Sequence, residues 1–209
     1  MSTEPIIHAV DDDPRFLTAL ERSLRSTGLP VNSYACAGDF LARLEPDRPG
    51  CLVTDLRMPD MDGIELQKTL LERQIRIPIV FVTGHGDTAT AVTALRNGAV
   101  DFLEKPFSEK QLLDSVWQAL TKDARDRELA REQSVVKQRF ACLSPREREV
   151  FILVVSDRHN KEIAHALKIS PRTVEHHREH VMLKMQADSR AELITMAVLC
   201  GIHELRLRP

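Results

Sequence analysis

Short apolar runs alternate with amphipathic stretches through residues 1–122. Ile6-Ile7-His8-Ala9-Val10, Cys51-Leu52-Val53-Thr54 and Ile79-Val80-Phe81-Val82 read as strands buried on both faces, because their apolar positions run on without alternation. Val31 to Ala35 is a weaker strand, and Asp101-Phe102-Leu103-Glu104 a short one. Between them, Pro14 to Ser26 sets Phe16, Leu17, Leu20 and Leu24 at helical spacing, and Gly28 and Pro30 end that helix. Asp39 to Leu44 predicts a short helix with Phe40, Leu41 and Leu44 inward. Ile64 to Leu71 predicts a third through Ile64, Leu66, Leu70 and Leu71. Asp87 is the expected cap of a fourth, which Asn97-Gly98 ends, and Ser108 with Gln111 has capping-box spacing for a fifth. Five βα units predict a parallel sheet with helices on both faces.

Residues 121–140 contain neither Gly nor Pro and interleave charges of both signs. The fifth helix is expected to extend through them as a solvated connector. Leu112, Val116, Leu120 and Ala124 keep an i, i+4 stripe that then fades, so a short coiled coil between two protomers is the lesser alternative. Residues 141–209 show no strand pattern. Ser144 as cap, Pro145 in the first position and acids in the opening turn start a helix that runs on through Phe151 to Val155. Asn160 begins a second, with Ile163, Ala164 and Leu167 buried. After the connector Lys168-Ile169-Ser170, Pro171 starts a third that runs to about Met185, with Val174, Val181 and Met185 inward. Asp188-Ser189 caps a fourth, whose apolar face is Leu193, Met196, Ala197 and Leu199.

Composition adds limits rather than identity. The hydrophobic fraction of 43% and charged fraction of 29% are ordinary for a globular protein. The net charge of −2 is unevenly spread: residues 1–122 carry 13 basic and 18 acidic groups, residues 141–209 carry 11 and 9 with six of the eight histidines. Cys36, Cys51, Cys142 and Cys200 are far apart, which argues against structural zinc and a disulfide framework. No apolar run reaches the roughly 18–20 residues that span a membrane. Met1-Ser2-Thr3-Glu4-Pro5 lacks a basic region followed by an apolar core, so a cytoplasmic protein with no membrane partner is expected.

The chemistry gathers at strand ends. One run stops at Asp55, another at Asp11-Asp12-Asp13, a third at Thr83-Gly84-His85-Gly86-Asp87, a fourth at Lys105-Pro106. A single acid after a strand is as often a cap as a site. Four such ends on parallel strands bring acids, a hydroxyl and an ammonium to the sheet edge where open α/β folds bind ligands. Crowded carboxylates hold a proton or a divalent cation, and all-oxygen ligands suit Mg²⁺. An Asp can act as a covalent nucleophile toward phosphate, with a lysine beside it to meet the transferred charge.

Asp11-Asp12, Asp55, Thr83 and Lys105-Pro106, in this order, resemble the receiver domain of two-component response regulators. Leu56-Arg57-Met58-Pro59-Asp60-Met61-Asp62-Gly63, Thr83-Gly84-His85-Gly86-Asp87 and Glu104-Lys105-Pro106-Phe107 resemble the FixJ subfamily in particular. The resemblance implies a flavodoxin-like, doubly wound five-stranded sheet in the order 2-1-3-4-5. It implies that Asp55 is the phospho-acceptor. It implies Mg²⁺ held by the carboxylates of Asp12 and Asp55 and the backbone carbonyl of Arg57, with Asp11 acting through water. Lys105 and Thr83 would meet the phosphoryl oxygens, and Phe102 would be the aromatic switch. For Thr83 and Phe102 the alternative is ordinary strand packing.

Leu143-Ser-Pro-Arg-Glu147, Asn160-Lys-Glu-Ile-Ala164, Ile169-Ser-Pro-Arg-Thr-Val174 and His177 resemble the LuxR-type helix-turn-helix module. That divides the chain into a receiver over 1–122, a helical linker over 123–140 and an all-α four-helix DNA-binding domain over 141–209. The third helix of the module would enter the major groove and present Arg172, Thr173, Glu175, His176, Arg178 and Glu179. Lys161, Ser170, His177 and Lys184 are placed for phosphates or framework. For each, the alternative is a solvated helix face; His176 and His180, four apart, are a weaker metal candidate. The family usually has Gly where Asp157 stands, a position expected to need φ > 0.

The expectation is a non-enzyme that a sensor histidine kinase phosphorylates. It would pair into a homodimer when phosphorylated, bind double-stranded promoter DNA and work with RNA polymerase. Two alternatives stay open: a Mg²⁺-dependent phosphatase with an Asp nucleophile, and a receiver joined to a protein-binding helical module.

Overall fold

A computed structural model describes residues 4–84 and 88–202. His85-Gly86-Asp87, and with it the expected Asp87 cap, lie outside the described residues. The chain forms two compact units, Met1–Asp126 and Arg127–Pro209.

In the first unit, β1 (Ile6–Val10), β2 (Val31–Tyr34), β3 (Gly50–Asp55), β4 (Ile79–Thr83) and β5 (Asp101–Glu104) form one sheet in the order β2-β1-β3-β4-β5. All four pairings are parallel. Successive side chains of each strand go to opposite faces. Ile7, Ala9, Cys51, Val53, Val80 and Val82 pack with Leu20 and Leu24 of α1 (Pro14–Arg25) and with Leu112 and Val116 of α5 (Glu109–Ala141). Val10, Leu52, Ile79 and Phe81 pack on the other face against α2 (Ala37–Arg43), α3 (Gly63–Glu72) and α4 (Thr88–Arg96). This two-sided burial is why β1, β3 and β4 carry continuous apolar runs.

Local signals set most of the helix starts. Asp13 caps α1, its Oδ1 accepting from Arg15 N at 2.9 Å and Phe16 N at 3.4 Å. Asp62 and Glu65 close a capping box on α3, so Asp62-Gly63 is a helix start as well as a turn. Ser108 and Gln111 bond as expected before α5. Two expectations are corrected. α2 begins at Ala37 rather than Asp39, because Cys36 Sγ accepts from Asp39 N at 3.5 Å and occupies the cap. Leu71 is 55% exposed; the inward face of α3 is Gly63, Leu66, Gln67 and Leu70, which the 3.6-residue period puts in register. At the far end of the sheet, buried Asp123 of α5 accepts from Gly50 N at 3.0 Å where β3 begins.

The second unit packs the C-terminal turns of α5 with α6 (Pro145–Val155), α7 (Asn160–Leu167), α8 (Pro171–Met185) and α9 (Arg190–Leu199). Val150, Phe151, Ile163, Val174, Val181, Met185 and Leu193 form its core. Asp157 has φ 68°, the left-handed geometry the sequence anticipates there, and pairs with Arg190, whose Nε also donates to Val154 O at 3.1 Å. The expectation of a solvated connector is corrected at its end. Val136 is buried in this core, Phe140 packs edge-on to Phe151 at 5.3 Å, and Arg139 Nη1 donates to Met185 O at 3.2 Å. The apolar positions that lapse after Ala124 return at Val136 and Phe140, which belong to the second unit's core.

Candidate functional site

The carboxyl ends of β1, β3 and β5 deliver three charged groups to one point. Lys105 Nζ lies 2.9 Å from Asp11 Oδ2 and 2.9 Å from Asp55 Oδ1. Each acid spends its other oxygen on a backbone donor: Asp11 Oδ1 accepts from Asp13 N at 2.9 Å, and Asp55 Oδ2 from Arg57 N at 2.8 Å. Asp11 is 1% exposed and Asp55 7%. Burial raises the pKa of Asp11 above the usual carboxylate range, against the bond from Lys105, and the nearby charge of Asp55 adds to the rise. Burial disfavours the Lys105 ammonium, but its bonds to Asp11 and Asp55 outweigh that and leave its pKa raised. Two acids thus share one ammonium.

That imbalance favours a further cation. Asp12, exposed beside the pair, adds a carboxylate at the same strand end, and the whole donor set is oxygen, as Mg²⁺ requires. Among the described residues no three His, Cys, Asp or Glu side chains form a ready metal cage. Mg²⁺ needs none, since it keeps several waters and takes one or two carboxylates. The residues fit the ion, and Asp12, Asp55 and the Arg57 carbonyl would hold it, with Asp11 behind a water.

Thr83 is buried at the end of β4; its carbonyl accepts from Lys105 N at 2.7 Å, and the strand register sets it beside Glu104. Phe102 is half-buried on β5, 6.5 Å from Phe81. Sequence reasoning missed Phe16. Its ring lies under Lys105 Nζ at 3.5 Å from the centroid, and Phe107 meets it edge-on at 6.1 Å. The helical spacing of Phe16 marked it only as a core residue.

In the second unit, Ser170 caps α8, accepting from Thr173 N at 3.1 Å, and its Oγ lies 2.8 Å from Thr173 Oγ1. Arg172, Glu175, His176 and Glu179 are exposed on α8, as is Lys161 on α7; Thr173 and His177 are half-buried. Arg178, expected on the open face, is half-buried, with Nη1 donating to Asn160 Oδ1 at 2.6 Å across the helix pair. Lys184 bonds Glu147 at 2.7 Å, which gives it a framework role. The His176 and His180 rings lie 4.2 Å apart.

Residues 7–117 match the family model described as the response regulator receiver domain, and residues 141–197 match that of the bacterial regulatory proteins of the luxR family. The chain belongs to the response regulators, with a receiver followed by a LuxR-type DNA-binding domain. Within them it is FixJ-like. It is 42% identical to the transcriptional regulatory protein FixJ of Rhizobium meliloti, over 95% of this chain and 98% of that one. It is equally 42% identical to nodulation protein W of Bradyrhizobium diazoefficiens, over 96% of this chain and 88% of that protein. The solved structure of the response regulator StyR superposes with a TM-score of 0.81 at 41% identity, covering 93% of this chain and 98% of that one.

Proposed function

We propose that a sensor histidine kinase phosphorylates this regulator on Asp55, and that phosphorylation promotes receiver-mediated dimerisation and sequence-specific binding to promoter DNA. The observation that carries the proposal is the convergence of Asp11 and Asp55 on Lys105. An Asp55 oxygen attacks the phosphorus of a phosphohistidine, the P–N bond breaks, and the imidazole nitrogen keeps the electron pair and takes up a proton. Lys105 is already in place to meet the charge that develops on the phosphoryl oxygens. Bound Mg²⁺ would neutralise more of that charge. The phosphoryl group adds charge and acceptor oxygens beside Lys105 and Thr83. Their new bonds favour one of two arrangements of the strand end, in which Phe102, half-buried here, turns inward.

On DNA, α8 enters the major groove with Arg172 as the leading base reader, its fork matched to guanine, and Thr173, Glu175 and His176 beside it. Lys161, Ser170 and His177 lie toward the phosphates, while Arg178 and Lys184 hold the frame. The protein works in the cytoplasm. Incubation with radiolabelled acetyl phosphate and Mg²⁺ tests the reading. The wild type should take label, Asp55→Asn should not, and labelling should raise both the dimer fraction in sedimentation and the affinity for promoter DNA. Persistent acyl phosphate in Asp55→Asn, or label without either change, rejects it.

A further inference from the structure

We propose that Phe16 is a positioning residue for phosphoryl transfer, its ring face holding the Lys105 ammonium between Asp11 and Asp55; this rests on Asp55 being the acceptor. An ammonium has three N–H bonds. Two of the directions around Lys105 Nζ are taken by Asp11 Oδ2 and Asp55 Oδ1, each at 2.9 Å. The Phe16 ring, with its centroid 3.5 Å from the nitrogen, covers another. A π-face attracts a cation electrostatically but offers no lone pair that competes with a carboxylate. The ring therefore steadies a side chain with four rotatable carbon–carbon bonds and leaves its hydrogen bonds to the acids.

The ring and the backbone that carries it are both held in place. Phe107, two residues past Lys105, meets it edge-on with an interplanar angle of 89°. At the backbone, Asp11 Oδ1 accepts from Asp13 N, and Asp13 Oδ1 accepts from Phe16 N at 3.4 Å. The acid that binds the ammonium thus also ties down, through Asp13, the helical turn that carries the aromatic cover. Phe16 also packs against the core on the α1 and α5 side of the sheet, and a leucine would serve that packing. What leucine lacks is the π-face.

Phe16→Tyr and Phe16→Leu in the full chain separate the two roles. With acetyl phosphate and Mg²⁺, the initial labelling rate of Phe16→Tyr should stay within about twofold of wild type, while Phe16→Leu should slow it roughly three- to tenfold. Thermal midpoints of the two variants should agree. A second measurement needs no phosphate: in NMR spectra, the Lys105 Cε protons of the wild type should lie upfield of those of the other lysines through the ring current, and Phe16→Leu should abolish that shift. Phe16→Leu labelling at the wild-type rate, or no upfield shift in the wild type, overturns the inference and leaves the acceptor reading intact. A wild type that takes no label, or an Asp55→Asn variant that keeps it, overturns the acceptor reading and this inference with it.

Discussion

Lys184 Nζ lies 2.7 Å from Glu147 Oε2, which joins the last turn of α8 to the first turn of α6. The same Oε2 accepts from Ser144 N at 2.7 Å, and Glu147 N donates to Ser144 Oγ at 3.3 Å. Glu147, 3% exposed, is therefore a helix cap whose carboxylate also seats α8.

Glu147→Gln should lower the stability of the DNA-binding unit by about 2 kcal/mol, the scale for losing charged hydrogen bonds at a buried site. The Lys184 bond, with those from Ser144, holds the Glu147 pKa down to about 2, against burial and the ordinary 4.5. A depressed folded-state pKa stabilises above the unfolded value, and the gain is lost as pH falls from about 4.5 toward 2. Urea midpoints of wild type and variant, followed by backbone amide NMR of residues 145–199, should differ at pH 6 and converge toward pH 2.

His8 predicts a second acid sensitivity, in the receiver. It is buried against Tyr34 and Phe40, with Nδ1 3.2 Å from Tyr34 Oη. Burial, and then the charge of Arg48, lower its pKa from 6.5 to about 4. Between those values the unfolded chain binds a proton that the folded chain refuses, so stability falls as pH drops from about 6.5 to 4. Trp117, the single tryptophan, lies on the receiver part of α5 and reports that unit alone. Urea curves read by its fluorescence should show less pH dependence in this window for His8→Phe than for wild type.

Gly63 predicts a close-approach defect. A Cβ there would sit 2.7 Å from the carbonyl oxygen of Asp55 and 2.8 Å from the Phe81 ring, neither a flexible end that swings away. Gly63→Ala should cost about 2 kcal/mol by overpacking and slow phosphorylation by shifting the strand end. Gly38→Ala in α2, whose Cβ would meet only Cys36 Sγ at 3.9 Å, is the control: it should leave labelling unchanged and lower stability not at all, raising it by up to about 1 kcal/mol.

Withdrawing Mg²⁺ with a chelator should stop labelling of Asp55. Asp12→Asn should raise the Mg²⁺ concentration needed for half-maximal labelling without altering the melting temperature, because Asp12 is exposed. Labelling that proceeds in full with the chelator present removes the ion from the reading.

Local chemistry was legible in the sequence where one short segment decides the outcome. Ser144 as a cap and Ser108 with Gln111 were readable because cap geometry depends on residues three or four apart, and the left-handed Asp157 was readable only through the Gly that the resembling family carries there. The strand ends were readable because a parallel sheet aligns them whatever the loops do. Cys36 escaped as a cap because a thiol is a weak acceptor that pattern rules pass over. Phe16 over Lys105, Arg178 on Asn160 and Lys184 on Glu147 escaped for a different reason. Each pair joins residues on separate elements, so no spacing along the chain encodes it.

The last turns of α5 hold one further consequence, for anyone recombining such proteins. Val136, Arg139 and Phe140 share a helix with the receiver's Leu112 and Val116, yet their packing partners are Phe151 and Met185. A chimera that grafts a foreign sensor half onto residue 141 would discard part of the reader's own interior. The seam that leaves both halves whole falls upstream, among the charged residues between 125 and 134.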